Sequence, residues 1–216
     1  AHEEIPTIKP GNYQNEKECT PRNGLPNFFQ KIQKNENVTV AFIGGSITQG
    51  KYCYRLQISQ YMEKHFSGSR IKWINAGVSG TGTDLGAFRI QEQVLQYNPD
   101  LIFIEFAVNG GYPDGMEGMI RKVRKQNPHT DICLIYTIYN GQTVAYQKEE
   151  VPQVIKALEE IADHYQLPSI HLGMEAAQLE KENKLLWKGT QEEAAGRILF
   201  SHDGVHPITD GGNLYA

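Results

Sequence analysis

Ser46 leaves an apolar run, Val38 to Ile43, through a pair of glycines, and Asp203-Gly204-Val205-His206-Pro207 lies 160 positions further on, close to the end of the chain. A serine that exits a buried strand into a glycine-flexible turn holds its hydroxyl clear of the sheet. That hydroxyl is a poor nucleophile until a base takes its proton. A histidine supplies the base and an aspartate orients it, and a separation of three residues lets both sit on one turn. These residue types together support acyl transfer.

Bringing them together requires a compact frame. The apolar runs Val38 to Ile43, Ile71 to Asn75, Leu101 to Phe106, Ile132 to Thr137 and Ser169 to Leu172 predict five strands. Their continuous apolar character suits a parallel sheet buried on both faces. Between them, Tyr52 to Phe66, Asp84 to Gln96, Gly115 to Asn127 and Val151 to Tyr165 carry apolar residues at the three-and-four spacing of helices, clearest at Ile155, Leu158, Ile161 and Ala162. Asn98-Pro99 and Asn127-Pro128 stop two of these helices. The alternation predicts a three-layer α/β/α sandwich over residues 37–216, with residues 1–36 as an arm wrapped on it and Leu25 to Lys34 as the arm's helix.

Ligands of such sheets sit beyond the carboxyl ends of the strands. Three loops converge there: Gly44 to Thr48, Ala76 to Thr83, and Ala107 to Gly111. Glycine in such loops lets backbone N–H groups approach a ligand closely, as stabilisation of an oxyanion requires.

Composition narrows the classes. The chain has 216 residues, enough for one domain with a substantial core. A net charge of −4, with only Arg121, Lys122, Arg124 and Lys125 bunched, gives no footprint for nucleic acid. No apolar run approaches the roughly 20 residues of a membrane helix. Cys19, Cys53 and Cys133 lack the spacing of a zinc site or a disulfide framework, although one bridge is open to them. The start at Ala1 and the polar arm lead us to expect an exported protein, periplasmic or extracellular. The second loop, Gly77 to Gly82, lacks both the Gly-Lys-Ser/Thr ending of a phosphate-binding loop and Gly-x-Gly-x-x-Gly spacing.

Four blocks in order, Gly44-Gly45-Ser46-Ile47-Thr48, Asn75-Ala76-Gly77-Val78-Ser79-Gly80, Glu105-Phe106-Ala107-Val108-Asn109 and Asp203-x-x-His206, resemble the SGNH (GDSL-like) hydrolase family in its branch with a Gly-Gly-Ser-Ile-Thr first block. The resemblance spans residues 37–216 and implies a flavodoxin-like fold with a central five-stranded parallel sheet. It implies Ser46 as nucleophile, His206 and Asp203 as its partners, and Ser46, Gly80 and Asn109 as oxyanion-hole residues, with no metal or organic cofactor. Gly45 and Gly110 stand where many members have aspartate. The second difference predicts a weakly supported Asn109 loop and a gain in turnover from Gly110→Asp.

Each candidate also has a plainer account. Ser46 could cap a helix, Asp203 and His206 could form a surface turn, and Asn109 could serve a turn alone. Arg89, Tyr112, Tyr139 and Asn140 fall on the loop edge of the sheet and are candidate substrate contacts, since aromatic faces and amides suit a sugar ring. For Arg89 the alternative is an internal ion pair with Glu105. His202 should face solvent. The site loops hold few large apolar residues, which disfavours a long-chain lipid, and the resemblance, to a family that includes acetylesterases, implies a small acyl ester, acetyl on a carbohydrate in particular. A carbohydrate-binding domain without turnover and an O-acyltransferase using the same residues remain open.

Overall fold

In the computed structural model, which describes residues 13–216, each of the five apolar runs is a strand. The strands are β1 (Cys19–Thr20), β2 (Val38–Gly44), β3 (Ile71–Gly77), β4 (Leu101–Glu105), β5 (Asp131–Tyr136), β6 (Ser169–His171), β7 (Leu185–Lys188) and β8 (Ile198–Ser201). The helices are α1 (Pro26–Gln33), α2 (Ser46–Gln49), α3 (Arg55–His65), α4 (Thr83–Gln93), α5 (Pro113–Gln126), α6 (Thr143–Gln147), α7 (Gln153–Tyr165), α8 (Met174–Lys181), α9 (Gln191–Ala194) and α10 (Thr209–Tyr215).

The main sheet has the order β1-β6-β5-β4-β2-β3. Strands β2 to β6 are parallel, as expected, and β1 adds a sixth, antiparallel edge strand through Cys19↔Ile170 and Thr20↔Ser169. The central strands β4 and β5 are buried at every position. Helix α5 turns Met116, Met119, Ile120 and Val123 inward, and α7 turns Ile155, Leu158 and Ala162 inward. This spacing explains why both are helices: it gives each a single apolar stripe to bury.

From β2 the chain first builds outward to β3, then crosses back to place β4 on the other side. The strand order therefore reverses at β2. Gly44 pairs with both Gly77 and Glu105, so β2, β3 and β4 end level and their loops emerge side by side. A crevice at such a switch point is where open α/β sheets bind ligands.

Of the expected arm, residues 1–12 lie outside the described residues. The described part is fastened to the opposite, amino-terminal end of the sheet. Phe28 is buried in the core, and its N–H together with the Asn27 amide donates to the Asp131 carboxylate at the start of β5. Arg22 pairs with Glu159 and Asp163 on α7. A second, two-stranded parallel sheet of β7 and β8 was not foreseen. It is held by Trp187 stacked on Phe200, with ring centroids 3.9 Å apart, and Phe200 in turn meets Tyr215 of α10 edge-on. Cys19, Cys53 and Cys133 are all free thiols. Among the described residues no helix is long and apolar enough to cross a membrane.

Candidate active site

Strand β2 ends at Gly44, the backbone stays extended through Gly45, and Ser46 opens the one-turn helix α2. The first N–H of a helix has no partner within it, so the Ser46 N–H is left for something outside. One turn below, buried Thr48 fixes the helix from underneath. Its hydroxyl lies 2.8 Å from Glu105 Oε2 and 2.6 Å from the Tyr54 hydroxyl, while its carbonyl accepts from Arg55 Nε at 2.9 Å. The other Glu105 oxygen accepts from the Thr137 hydroxyl at 2.6 Å. Glu105 is fully buried at the end of β4, and burial pushes its carboxyl up from the ordinary range, partly offset by the Thr137 and Thr48 bonds.

His206 comes to this turn from the far end of the chain. Its Nε2 lies 2.7 Å from Ser46 Oγ, and its Nδ1 lies 2.6 Å from Asp203 Oδ2. The loop is pinned by Asp203 Oδ1, which accepts the N–H groups of Val205 and His206 at 2.8 Å each. Buried Ser201, at the end of β8, accepts the Gly204 N–H at 2.9 Å and reaches the His206 carbonyl at 2.7 Å. Burial acts to raise the Asp203 carboxyl, but the bonds from the His206 ring, the two backbone N–H groups and Ser201 outweigh it and hold the carboxyl well below the usual range. An ionised carboxylate only accepts, so the facing Nδ1 carries a proton and Nε2 presents a lone pair to the Ser46 hydroxyl. That is the tautomer a general base requires.

Asn109 packs against Gly45 so closely that a Cβ on Gly45 would overlap the Asn109 amide. The absence of a Cβ on Gly45 is what gives the Asn109 amide its place against Ser46. The Asn109 amide nitrogen faces the Ser46 N–H, the two nitrogens 3.3 Å apart, while its oxygen faces the Val108 carbonyl. Turning the amide over pairs both groups, with Ser46 N–H donating to its oxygen and its nitrogen donating to Val108 at 3.2 Å. In that paired orientation the Asn109 side chain lies directly against the Ser46 N–H. Gly80 lies on the neighbouring loop between two anchors. On one side Ser79 N–H donates to Gln49 Oε1 at 2.9 Å, and on the other Thr83 N–H donates to the Gly110 carbonyl at 3.0 Å.

The expected weakness at Gly110 is not found. Gly110 has a left-handed φ of +60°, which favours glycine, and its carbonyl is tied to Thr83 through both N–H and hydroxyl. The Thr83 hydroxyl also reaches the Tyr112 carbonyl at 2.8 Å. Bonds from Thr83 thus hold the loop in which Gly110 stands.

The candidate substrate contacts separate. Arg89 makes no ion pair with Glu105. Its guanidinium donates to the carbonyls of Ala76 at 2.5 Å and Gly44 at 2.8 Å, clamping the ends of β3 and β2 beneath the site, because α4 turns it inward. Tyr112 and Tyr139 are exposed, at 60% and 44%. The Asn140 N–H donates to the Gly204 carbonyl at 2.7 Å, which places the Tyr139–Asn140 loop beside Asp203 and His206. His202 is exposed, with Nδ1 3.0 Å from the Gly189 carbonyl. Burial pushes the nearby Cys53 thiol up to about 11, so it stays neutral. Among the described residues no cluster of His, Cys, Asp or Glu could hold a metal ion. Sequence reasoning missed Thr48 and Thr83 as supports; a charged residue closing the apolar run Leu101 to Ile104 was the available signal for the first.

Residues 42–212 match the GDSL-like lipase/acylhydrolase family, and the chain belongs to it. Among solved structures it resembles a two-domain esterase active on acetylated mannans, crystallised with mannopentaose, at 25% identity and a TM-score of 0.72. That alignment covers 88% of this chain and 50% of the other, so this chain spans half the length of that protein. The fold is shared with an acetyl xylan esterase (22% identity, TM-score 0.61, 82% and 95% covered) and with a lipase/acylhydrolase of Enterococcus faecalis (19%, 0.58, 82% and 90%). Comparison with curated protein sequences gives no match.

Proposed function

We propose that this protein is a serine esterase that removes a small acyl group, acetyl foremost, from a carbohydrate. The observation that carries the proposal is the 2.7 Å approach of His206 Nε2 to Ser46 Oγ across 160 residues of chain. As His206 takes the hydroxyl proton, Oγ attacks the ester carbonyl and the carbonyl oxygen becomes an oxyanion. The N–H groups of Ser46 and Gly80 and the Asn109 amide donate to it, each such donor contributing about 3 kcal/mol. Collapse breaks the bond to the sugar oxygen, which leaves with the proton held on His206. Water, deprotonated by His206 in turn, then attacks the acyl-enzyme and releases the acid. Asp203 stays ionised and stabilises the imidazolium at both stages. Every step uses protein groups and water.

The acetyl and carbohydrate parts are supported by the esterases of acetylated mannan and xylan that share this fold, and by the exposed tyrosines on the site loops. A fluorophosphonate probe tests the nucleophile: the wild type labels and Ser46→Ala does not. Labelling of neither, or of both alike, rejects Ser46. A series of p-nitrophenyl esters tests the acyl group, with acetate preferred and activity falling steeply by octanoate. A preference for long chains would reject the deacetylase reading.

A further inference from the structure

A shallow groove of about 610 Å³ lies on the outer surface of α6 and α7. No residue of the candidate site lines it, but two of its walls adjoin the site loops. Gly111 lies two residues after Asn109, and Tyr139 precedes Asn140, whose N–H donates to the Gly204 carbonyl in the loop carrying Asp203 and His206. One end of the groove therefore lies next to the loops around Ser46, on the side where the rest of a bound sugar chain could extend.

The lining states what that chain is. Exposed Pro113, half-buried Val154 and the half-exposed ring of Tyr139 offer apolar surface, and Gln142 and Gln153 offer amides. None of the lining residues is Asp, Glu, Lys, Arg or His, in a protein of which 21% is Asp, Glu, Lys or Arg. The Gln142 amide is held by its oxygen, which accepts the Tyr139 N–H at 2.9 Å. A sugar ring presents apolar faces and a rim of hydroxyls that pair with such amides. A carboxylated sugar would be stripped of water there with no cation to meet it, which costs binding. An aliphatic chain would leave the amides unpaired.

We propose that this groove binds the uncharged sugars adjoining the acylated one, making the protein selective for a neutral glycan chain over an acidic one. The proposal rests on the esterase reading, and the test separates the two. Acetate release is measured on acetylated manno- or xylo-oligosaccharides of one to five sugars, with a glucuronate-bearing series of the same lengths alongside. The expected kcat/KM rises at least tenfold from one sugar to five in the neutral series, mainly through KM, and stays flat in the acidic one. Gln153→Trp, which fills the groove, brings the five-to-one ratio to about one; because this is a ratio within one variant, a partly misfolded preparation does not mimic it. A flat neutral series with Ser46-dependent release intact overturns the groove and leaves the esterase. An equal gain in the acidic series overturns the selectivity for uncharged chains. Release that is absent, or unchanged in Ser46→Ala, overturns both.

Discussion

Replacing Gly45 with alanine tests the oxyanion site without touching any group that reacts. The backbone at Gly45, φ −89° and ψ −147°, has a negative φ, so no left-handed conformation stands against alanine. Its Cβ, however, would overlap the Asn109 amide nitrogen and lie 2.8 Å from Asn109 Cγ and 3.2 Å from Asn109 Cβ. A backbone on a strand end cannot yield as readily as a half-buried loop side chain, so Asn109 swings away. Losing one preorganised donor costs about 3–4 kcal/mol of transition-state stabilisation, a fall of roughly 10²–10³-fold in kcat. Stability should change little, since the unfolded-state gain of Gly→Ala, about 0.4–1 kcal/mol, opposes the displaced contact. Steady-state hydrolysis of p-nitrophenyl acetate reads the effect, with kcat falling and KM nearly constant. The double variant Gly45→Ala/Asn109→Ala should be no slower than Asn109→Ala alone, because both remove the same donor. A kcat for Gly45→Ala within about threefold of wild type, under 1 kcal/mol, would refute the reasoning, as would fully additive losses in the double variant.

Three further expectations concern the supports. Thr48→Val strips a donor from buried Glu105 and the partner from the Tyr54 hydroxyl, at about 2–3 kcal/mol; a thermal midpoint lowered far less by Thr48→Ser is expected, and equal losses would show that the hydroxyl is not what matters. Gly110→Asp gives no gain in turnover, because the side chain must accept a left-handed φ with its Cβ 3.0 Å from the Tyr112 ring; a faster enzyme would show that the threonine bonds do not replace the carboxylate. Asp203 is depressed in the fold, so its contribution to stability is complete above the unfolded value near 4 and is lost as pH falls through the folded value. The gap in thermal midpoint between wild type and Asp203→Asn should therefore be constant above about pH 5 and close below about pH 4; a gap independent of pH would place its origin elsewhere.

The main sheet was legible because β2, β4 and β5 are buried on both faces and so are written as unbroken apolar runs. The edge strand β1 and the pair β7 and β8 were not, since they are short and, unlike the equally short β6, lie outside the parallel strand-helix alternation of the main sheet. In the site, the residue types and their order pointed to Ser46, Asp203 and His206, but only the folded chain gives the distances between them. Arg89 shows the limit most clearly. Its position in sequence put it on the correct edge of the sheet, while the direction of its guanidinium depended on the rotation of α4, which a helix with so weak an apolar stripe does not declare. Glu105 is the converse case: an acid ending a buried strand was visible, but its hydroxyl partners come from α2 and from the residue just after β5, which no local pattern links.

Ser46 hangs from the main sheet, whereas His206 hangs from β8 and the turn before α10, elements made last and seated by aromatic stacking. Hydrolysis consequently reports on assembly of the entire molecule. During refolding, secondary structure and much of the core can return before any turnover does, because the decisive contact closes a loop of 160 residues. A nick between α8 and β7 that left both fragments associated would spare activity; one that released the carboxyl-terminal fragment would abolish it while the larger piece kept its sheet.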